Sequence, residues 1–331
     1  MDTRERLLGR LKEMRGAWVS GGGLSRELCL TRSAVWKHVR RLRDEGYLID
    51  SAPSKGYRLK RTPDRMTPQD VRGGLKTRVI GCGEIIFLGR TDSTNSVAKA
   101  LAAEGAPEGT VVVSEGQSEG RGRKGRVWYS PEREGIYASV ILRPELPLME
   151  IAKMPLLASL AIAETLLSLG FRGVKIKWPN DVLLNGRKVA GVLAEAGTQI
   201  EAVDYVVIGL GLNVNTRVFP RDLKRTATSL FLETGRIFER SRLLALVLRF
   251  MEGFYDSLGR GGVGPLIEKW KGLTDILGRH VSLEVMGRNL SGVVEDLGRD
   301  GALIIRSRNG GTHKVLSGDI HSVGRGSAGR R

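Results

Sequence analysis

KIKWPNDVLLNGRKVAGVLAE, residues 175–195, consists of two apolar runs joined by Asn185-Gly186. An Asn-Gly pair favours the positive φ values of a two-residue turn, so the runs read as a β-hairpin with Lys188 just inside the returning strand. A lysine held on a strand has little freedom left to lose when it meets an anionic substrate, which a solvated surface lysine does not share. Around the hairpin, strand-like runs at 85–88, 110–114, 137–142 and 206–210 mix with helical periodicity at 96–104, 150–169 and 241–258. The middle of the chain is therefore expected to be a mixed α/β domain.

Two more clusters stand out there. Thr91-Asp92-Ser93-Thr94-Asn95 follows a strand pattern and precedes a helical one. These side chains can cap the helix, or they can join its free N–H groups in binding a polar ligand; without context, capping is the favoured reading. Farther on, residues 119–126 read EGRGRKGR, with glycines alternating with Arg121, Arg123, Lys124 and Arg126. Four cations on a flexible backbone attract phosphate oxygens, so the loop is expected to be mobile until it closes over a nucleotide. A glycine-arginine nucleic-acid tether is the bland alternative, but a single copy followed by Val127-Trp128-Tyr129 fits a domain loop better. The GxxxxGK[ST] spacing of a P-loop is absent.

The ends of the chain differ from its middle. Residues 1–60 carry 14 basic and 7 acidic side chains, a net +7, within a protein whose formal charge is +17, so a polyanionic partner is expected. Leu7, Leu8, Leu11 and Met14 mark a first helix, which Gly21 to Gly23 should end, and a second helix fits residues 24–29. Thr31 can cap a third, with Val35, Val39 and Leu42 inward and Arg32, Ser33, Lys37, His38, Arg40 and Arg41 outward. Tyr47 to Leu59 then reads as a hairpin with Lys55 near its tip, completing a winged helix-turn-helix. In that module Arg32, Ser33, Lys37, His38 and Lys55 are the candidate DNA contacts. Residues 61–67, with Pro63, read as a linker. From Val281 onward, short strands separated by Gly and Asn turns, Asn309-Gly310 among them, suggest a small β-barrel, with residues 324–331 as a frayed tail.

With 331 residues, 41% of them apolar but no long uninterrupted apolar run, the chain is expected to be multi-domain, soluble and not a membrane protein. Cys29 and Cys82 are too few for a disulfide framework and too far apart for a CxxC motif, which points to a reducing cytoplasm.

Taken in order, Ser93-Thr94-Asn95, Gln117, GRGRKGR from Gly120, KWPND from Lys177, Lys188-Val189-Ala190-Gly191 and Gly209-Leu210-Gly211-Leu212-Asn213 resemble the bifunctional biotin-protein ligases that also act as biotin operon repressors. Each motif is modestly specific alone; the ordered set, spanning nearly the whole chain, is highly specific. The resemblance implies an α+β protein of four parts. These are a winged helix-turn-helix at 1–62, a catalytic domain with a mixed sheet like that of class II aminoacyl-tRNA synthetases at 63–272, an SH3-like barrel at 273–323 and a tail at 324–331.

It implies chemistry as well. Biotin and ATP would be the substrates, with Mg²⁺, and biotinyl-5′-AMP the intermediate passed to a lysine of a biotin carboxyl carrier protein. Lys188 and Arg123 would be catalytic. Ser93, Thr94, Asn95, Gln117, Arg121, Gly122, Arg123 and Lys188 would bind biotin. Arg121, Arg123, Lys124, Arg126, Asn180, Lys188 and Asn213 would bind ATP or the adenylate, and Asp181 would be a metal ligand. Trp128 would pack on the ligand's apolar tail or in the core. The adenylate would promote a homodimer that binds operator DNA. Competing readings are a small-molecule-sensing transcription factor on a degenerate ligase fold and a lipoate ligase; Lys188 and the basic loop speak against the sensor, which needs affinity but no chemistry.

Overall fold

A computed structural model describes residues 3–14, 16–145, 151–199, 202–285 and 288–324. The expected tail therefore lies, beyond Gly324, outside the described residues. The chain divides into two compact units, Met1–Asp64 and Arg65–Arg331.

The first unit is three helices and a hairpin: α1 (Thr3–Glu13), α2 (Gly21–Leu28), α3 (Arg32–Asp44), β1 (Leu48–Ala52) and β2 (Gly56–Arg61). Leu7, Leu11, Leu24, Val35, Val39 and Leu42 form its core, as their three- and four-residue spacing requires. Gly21 to Gly23 do not end the first helix; α1 stops at Glu13 and the three glycines open α2, where Ser20 Oγ accepts the Gly23 N–H at 2.9 Å. Thr31 caps α3 as expected, accepting the Ala34 N–H at 3.1 Å. At the turn end of the wing, directly after Lys55, Gly56 has φ +92°, and a Cβ there would collide with the Val19 carbonyl, so only glycine fits.

The second unit begins with α4 (Pro68–Arg72) and continues through β3 (Ile85–Leu88), α5 (Thr94–Ala103), β4 (Val111–Ser114), β5 (Gly135–Leu142), α6 (Lys153–Ser168), β6 (Val174–Lys177), β7 (Asp181–Leu184), β8 (Arg187–Gln199) and β9 (Ala202–Asn213). Helices α7 (Leu230–Thr234), α8 (Arg240–Gly261) and α9 (Gly264–Gly272) follow, then β10 (His280–Val285), β11 (Arg288–Leu297), β12 (Leu303–Ser307), β13 (Thr312–Val315) and β14 (Asp319–Val323). The seven-stranded sheet has the order β3-β4-β5-β9-β8-β7-β6 and is mixed: β3 and β4 are parallel, every other pair antiparallel. Asn185 (φ +50°) and Gly186 (φ +79°) make the turn between β7 and β8.

Both faces of this sheet are covered, so β5 is buried along its whole length. Helix α6, apolar nearly all round, lies on one face with α8 and α9 behind it; α5 covers the other with Ala98 and Ala102 against Val112, Ile141 and Val207. The C-terminal strands form a five-stranded antiparallel sheet in the order β13-β12-β11-β10-β14. No helix among the described residues is long and apolar enough to cross a membrane.

Candidate active site

On the α5-covered face of the sheet the motif side chains lie over a floor of glycine. A Cβ on Gly209 would collide with the Asn95 side chain, and one on Gly211 would lie 2.5 Å from the Trp128 indole, so the bare strand lets both side chains lie against it. At the α5 end, Ser93, Thr94 and Asn95 are each at least 96% buried. Ser93 occupies the N-cap position but its side chain makes no cap hydrogen bond; Gln117 Oε1 instead accepts the Thr94 N–H at 2.9 Å and lies 3.2 Å from Thr94 Oγ1. The favoured capping reading is thus corrected: the Ser93 side chain does not cap α5, and Gln117, from another strand's loop, satisfies the Thr94 N–H.

Two residues that the motif reading passed over hold this polar end together. Ser139, wholly buried on β5, donates to Asn95 Oδ1 at 2.6 Å and lies 2.8 Å from Thr94 Oγ1. Its signal was a hydroxyl in an otherwise apolar buried strand. Glu195 accepts from Asn95 Nδ2 and from Lys99 Nζ, both at 3.0 Å, and Arg121 stands 4.0 Å away. Burial pushes the Glu195 carboxyl up, but those hydrogen bonds and the charges of Lys99 and Arg121 outweigh it and hold the group below its ordinary value. The Asn95 amide orientation follows, since a carboxylate can only accept.

At the other end of the floor Lys188 Nζ pairs with Asp181 Oδ1 at 2.7 Å and stands 5.2 Å from the centre of the Trp128 ring. Strand β9 stops short of this point. Its place beside Lys188 is taken by a strap, residues 214–229: the Lys188 N–H donates to the Thr226 carbonyl at 2.7 Å and the Thr228 N–H returns to the Lys188 carbonyl at 2.9 Å. Asn213 is buried and gives its amide to the Thr228 carbonyl at 3.0 Å, which places it as a brace of the strap. Phe219 packs on Tyr129, ring centres 6.1 Å apart, and joins the strap to the end of the basic loop.

The basic loop closes on itself and its cations are engaged. Gly122 N–H donates to the Arg126 carbonyl at 2.6 Å and Trp128 N–H to the Gly120 carbonyl at 2.7 Å, closing it on itself. Arg121 donates to Ser96 at 2.6 Å. Three cations converge on Asp319 at the start of β14: Arg126 at 2.7 Å, Lys124 at 3.3 Å and Arg123 at 3.7 Å. Arg123 also reaches Ser317 Oγ (2.8 Å), the Gly318 carbonyl (3.3 Å) and Asn180 Oδ1 (3.4 Å), while Asn180 Nδ2 donates to the Val192 carbonyl at 2.6 Å. Burial lowers the Arg123 pKa, partly offset by Asp319 and Asp181. Nothing in the EGRGRKGR motif pointed to residues 317–319.

Burial pushes the Asp319 carboxyl up, but Arg126, Lys124 and Arg123 overcome it and the net shift is downward. The clamp's contribution is therefore fully present above the ordinary aspartate pKa, roughly 4, and is lost as pH falls through the lower folded value. Hydrogen exchange should show residues 120–128 equally protected from pH ~8 to ~5 and released only once the pH falls below the ordinary aspartate range, with Asp319→Asn exposing them several-fold already at neutral pH. An unchanged exchange pattern in that variant would remove the clamp.

In the first unit, Arg32, Ser33, Lys37 and Lys55 are exposed, as are Arg40 and Arg41, and Ser33 Oγ lies 2.9 Å from Thr31 Oγ1. His38 differs from the expectation of an outward side chain: it is half-buried and its Nδ1 is shielded from solvent. Trp18, between Lys55 (6.0 Å) and Arg58 (4.7 Å), stiffens the wing by cation–π contact.

Comparison with known proteins places these features. Residues 87–213 match the biotin/lipoate A/B protein ligase family, residues 3–58 an HTH domain and residues 276–321 the biotin protein ligase C-terminal domain. The chain is 35% identical over 319 residues to the bifunctional ligase/repressor BirA of Bacillus spizizenii, covering 96% of this chain and 98% of that one. It is 32% identical over 267 residues to the biotin–[acetyl-CoA-carboxylase] ligase of Mycobacterium tuberculosis, 78% of this chain and 97% of that one. The structure is similar to the biotin protein ligase of Aquifex aeolicus in complex with biotin and ATP, with TM-score 0.63 and 31% identity over 73% of this chain and 99% of that one.

Proposed function

Because the chain belongs to the bifunctional biotin ligase/repressor family, we infer that the glycine-floored site is where it joins biotin to AMP before transfer to a carrier lysine. A carboxylate is a poor electrophile at neutral pH and does not acylate an amine unaided. In the activating step the biotin carboxylate oxygen attacks the α-phosphorus of ATP and pyrophosphate leaves. In the second, the acceptor amine attacks the acyl carbon of biotinyl-5′-AMP, AMP leaves and the amine loses its proton.

One observation carries this reading: Lys188 stands at one end of the glycine floor, over Trp128, while the buried Ser93, Thr94 and Asn95 close the other. That spacing suits a ligand with a polar ring at one end, an apolar middle and a carboxylate at the other. Ser93, Thr94, Asn95 and Gln117 hydrogen-bond the ureido ring, with Arg121 and Gly122 at its edge, and Trp128 covers the apolar part. Lys188 neutralises the carboxylate and the α-phosphate as they approach, which is where like-charge repulsion is largest. Arg123, Lys124, Arg126 and Asn180 take the phosphates, and the loop excludes water from the mixed anhydride. No side chain need act as a nucleophile, so neither cysteine has a part.

Among the described residues no group of three or more metal-binding side chains is present, and Asp181 is the one carboxylate paired with Lys188. Magnesium is commonly held by one or two carboxylates plus phosphate oxygens, so Asp181 suits a cation that arrives with the nucleotide and offsets phosphate charge. The seven-stranded sheet corresponds on this reading to the class II synthetase type and the C-terminal sheet to an SH3-like barrel. Residues 1–62 serve as the DNA module, 63–272 as the catalytic domain and 273–323 as the C-terminal domain. Arg32, Ser33, Lys37 and Lys55 contact operator DNA, and the half-buried His38 supports the helix rather than reading a base.

Biotin-dependent pyrophosphate exchange, run beside lipoate and followed by transfer to a carrier-domain lysine, tests the enzyme. Exchange with lipoate alone would overturn it. For the repressor, adenylate-promoted dimerisation should present two DNA modules together and make operator binding steeply salt-dependent. Operator affinity indifferent to biotin and ATP would remove the corepressor role.

A further inference from the structure

Residues 216–226 of the strap read TRVFPRDLKRT, four cations against one carboxylate. Both ends of this stretch are tied to the site, Phe219 to Tyr129 and Thr226 to the backbone of Lys188. The six residues between them therefore bridge the end of the basic loop and the lysine strand. Phe219 and Ala227 point inward and are buried, while Arg217, Arg221, Lys224 and Arg225 are exposed and Val218 is 74% exposed.

The two loops at this site treat their cations differently. Arg123, Lys124 and Arg126 all meet Asp319. Arg217 lies over the Phe231 ring at 4.8 Å, and no ion pair among the described residues engages Arg221, Lys224 or Arg225. Unpaired cations on a rigidly tied, outward surface are placed to meet an anion that comes from outside. The second half-reaction supplies one of the right size. A protein lysine has to reach an anhydride beside Lys188, so the surface around that lysine must settle on the rim of the site.

We propose that the outer face of residues 217–226 is the docking surface for an acidic carrier domain, with Arg221, Lys224 and Arg225 meeting carboxylates that flank the acceptor lysine; this rests on the ligase reading above. Rim charges of this kind act on encounter and orientation more than on final affinity. A cationic rim also disfavours the protonated form of the arriving lysine, so it delivers more of the neutral amine that attacks.

The test separates the two half-reactions in the full-length protein. Its probe is an isolated biotin carrier domain of a carboxylase, beside the same domain with the acids next to its acceptor lysine changed to amides. Arg221→Glu/Lys224→Glu/Arg225→Glu should lower kcat/KM for the acidic carrier by at least ~10-fold, mainly through KM, and reverse its salt dependence. The corresponding glutamine triple should fall between. Biotin-dependent pyrophosphate exchange should stay within about twofold, because that step needs no carrier. With the amidated carrier the parent should already be slow, and the charge reversal should cost little more, the mark of a direct coupling.

Intact exchange with unchanged transfer would overturn the proposal, as would equal losses with both carriers. A matching loss of pyrophosphate exchange would assign these cations to the nucleotide. Weakened binding of duplex DNA with normal transfer would assign them to nucleic acid. Absence of exchange in the parent protein would sink the ligase reading instead.

Discussion

Lys188→Ala lowers the rate of biotin-dependent pyrophosphate exchange by roughly 10³-fold, while biotin affinity falls far less. The ammonium sits 2.7 Å from Asp181 and is backed by the Trp128 ring, so it is oriented before substrate arrives and loses little entropy on meeting it. Two anions approach each other in the adenylation step, and the benefit of a fixed cation is greatest when they are closest. Ground-state biotin brings only one of them. Removing the cation therefore costs the transition state more than the bound vitamin. Isothermal binding of biotin measured beside exchange kinetics checks the split; equal losses in the two would contradict the assignment. Lys188→Arg is not a conservative rescue, because a planar fork cannot reproduce a point charge in the same space.

Arg123→Gly releases the adenylate about 10- to 100-fold faster than the parent while leaving its synthesis measurable. The guanidinium joins three parts of the chain that are remote in sequence: the loop itself, Asn180 between β6 and β7, and residues 317–319 at the entry to β14. Glycine removes the joint and adds backbone freedom, so the loop opens more often over an otherwise complete site. Pulse-chase release of radiolabelled adenylate measures this directly. Free adenylate should also acylate bystander amines, a second readout that a merely unfolded variant would not produce. Release no faster than in the parent would end the lid account.

Much of the site was legible because its parts are local. Asn185-Gly186 specifies its own turn, and the apolar runs on either side of it then put Lys188 on a strand. The glycine and arginine alternation of residues 120–126 likewise marks a loop, and the periodicity of residues 24–42 marks the helices of the basic module. Each of these signals is carried by neighbours a few positions apart, over which backbone preferences and side-chain spacing act directly. Where local rules left two outcomes open, as at Thr91 to Asn95, the choice went against the commoner one because Gln117, from a different loop, satisfied the Thr94 amide.

What the chain determined alone was its inventory: a basic winged module, a hairpin bearing a lysine, a cationic loop and a run of short C-terminal strands. Tertiary structure decided the partners. Asp319 meets Arg126 across 193 positions, Glu195 meets Asn95 across 100, and the strap replaces β9 beside Lys188. Such pairings depend on strand register and on which face each element buries, and these are settled only when the whole sheet closes around one core. A carboxylate looks the same in the sequence whether it ends up solvated or holding three cations.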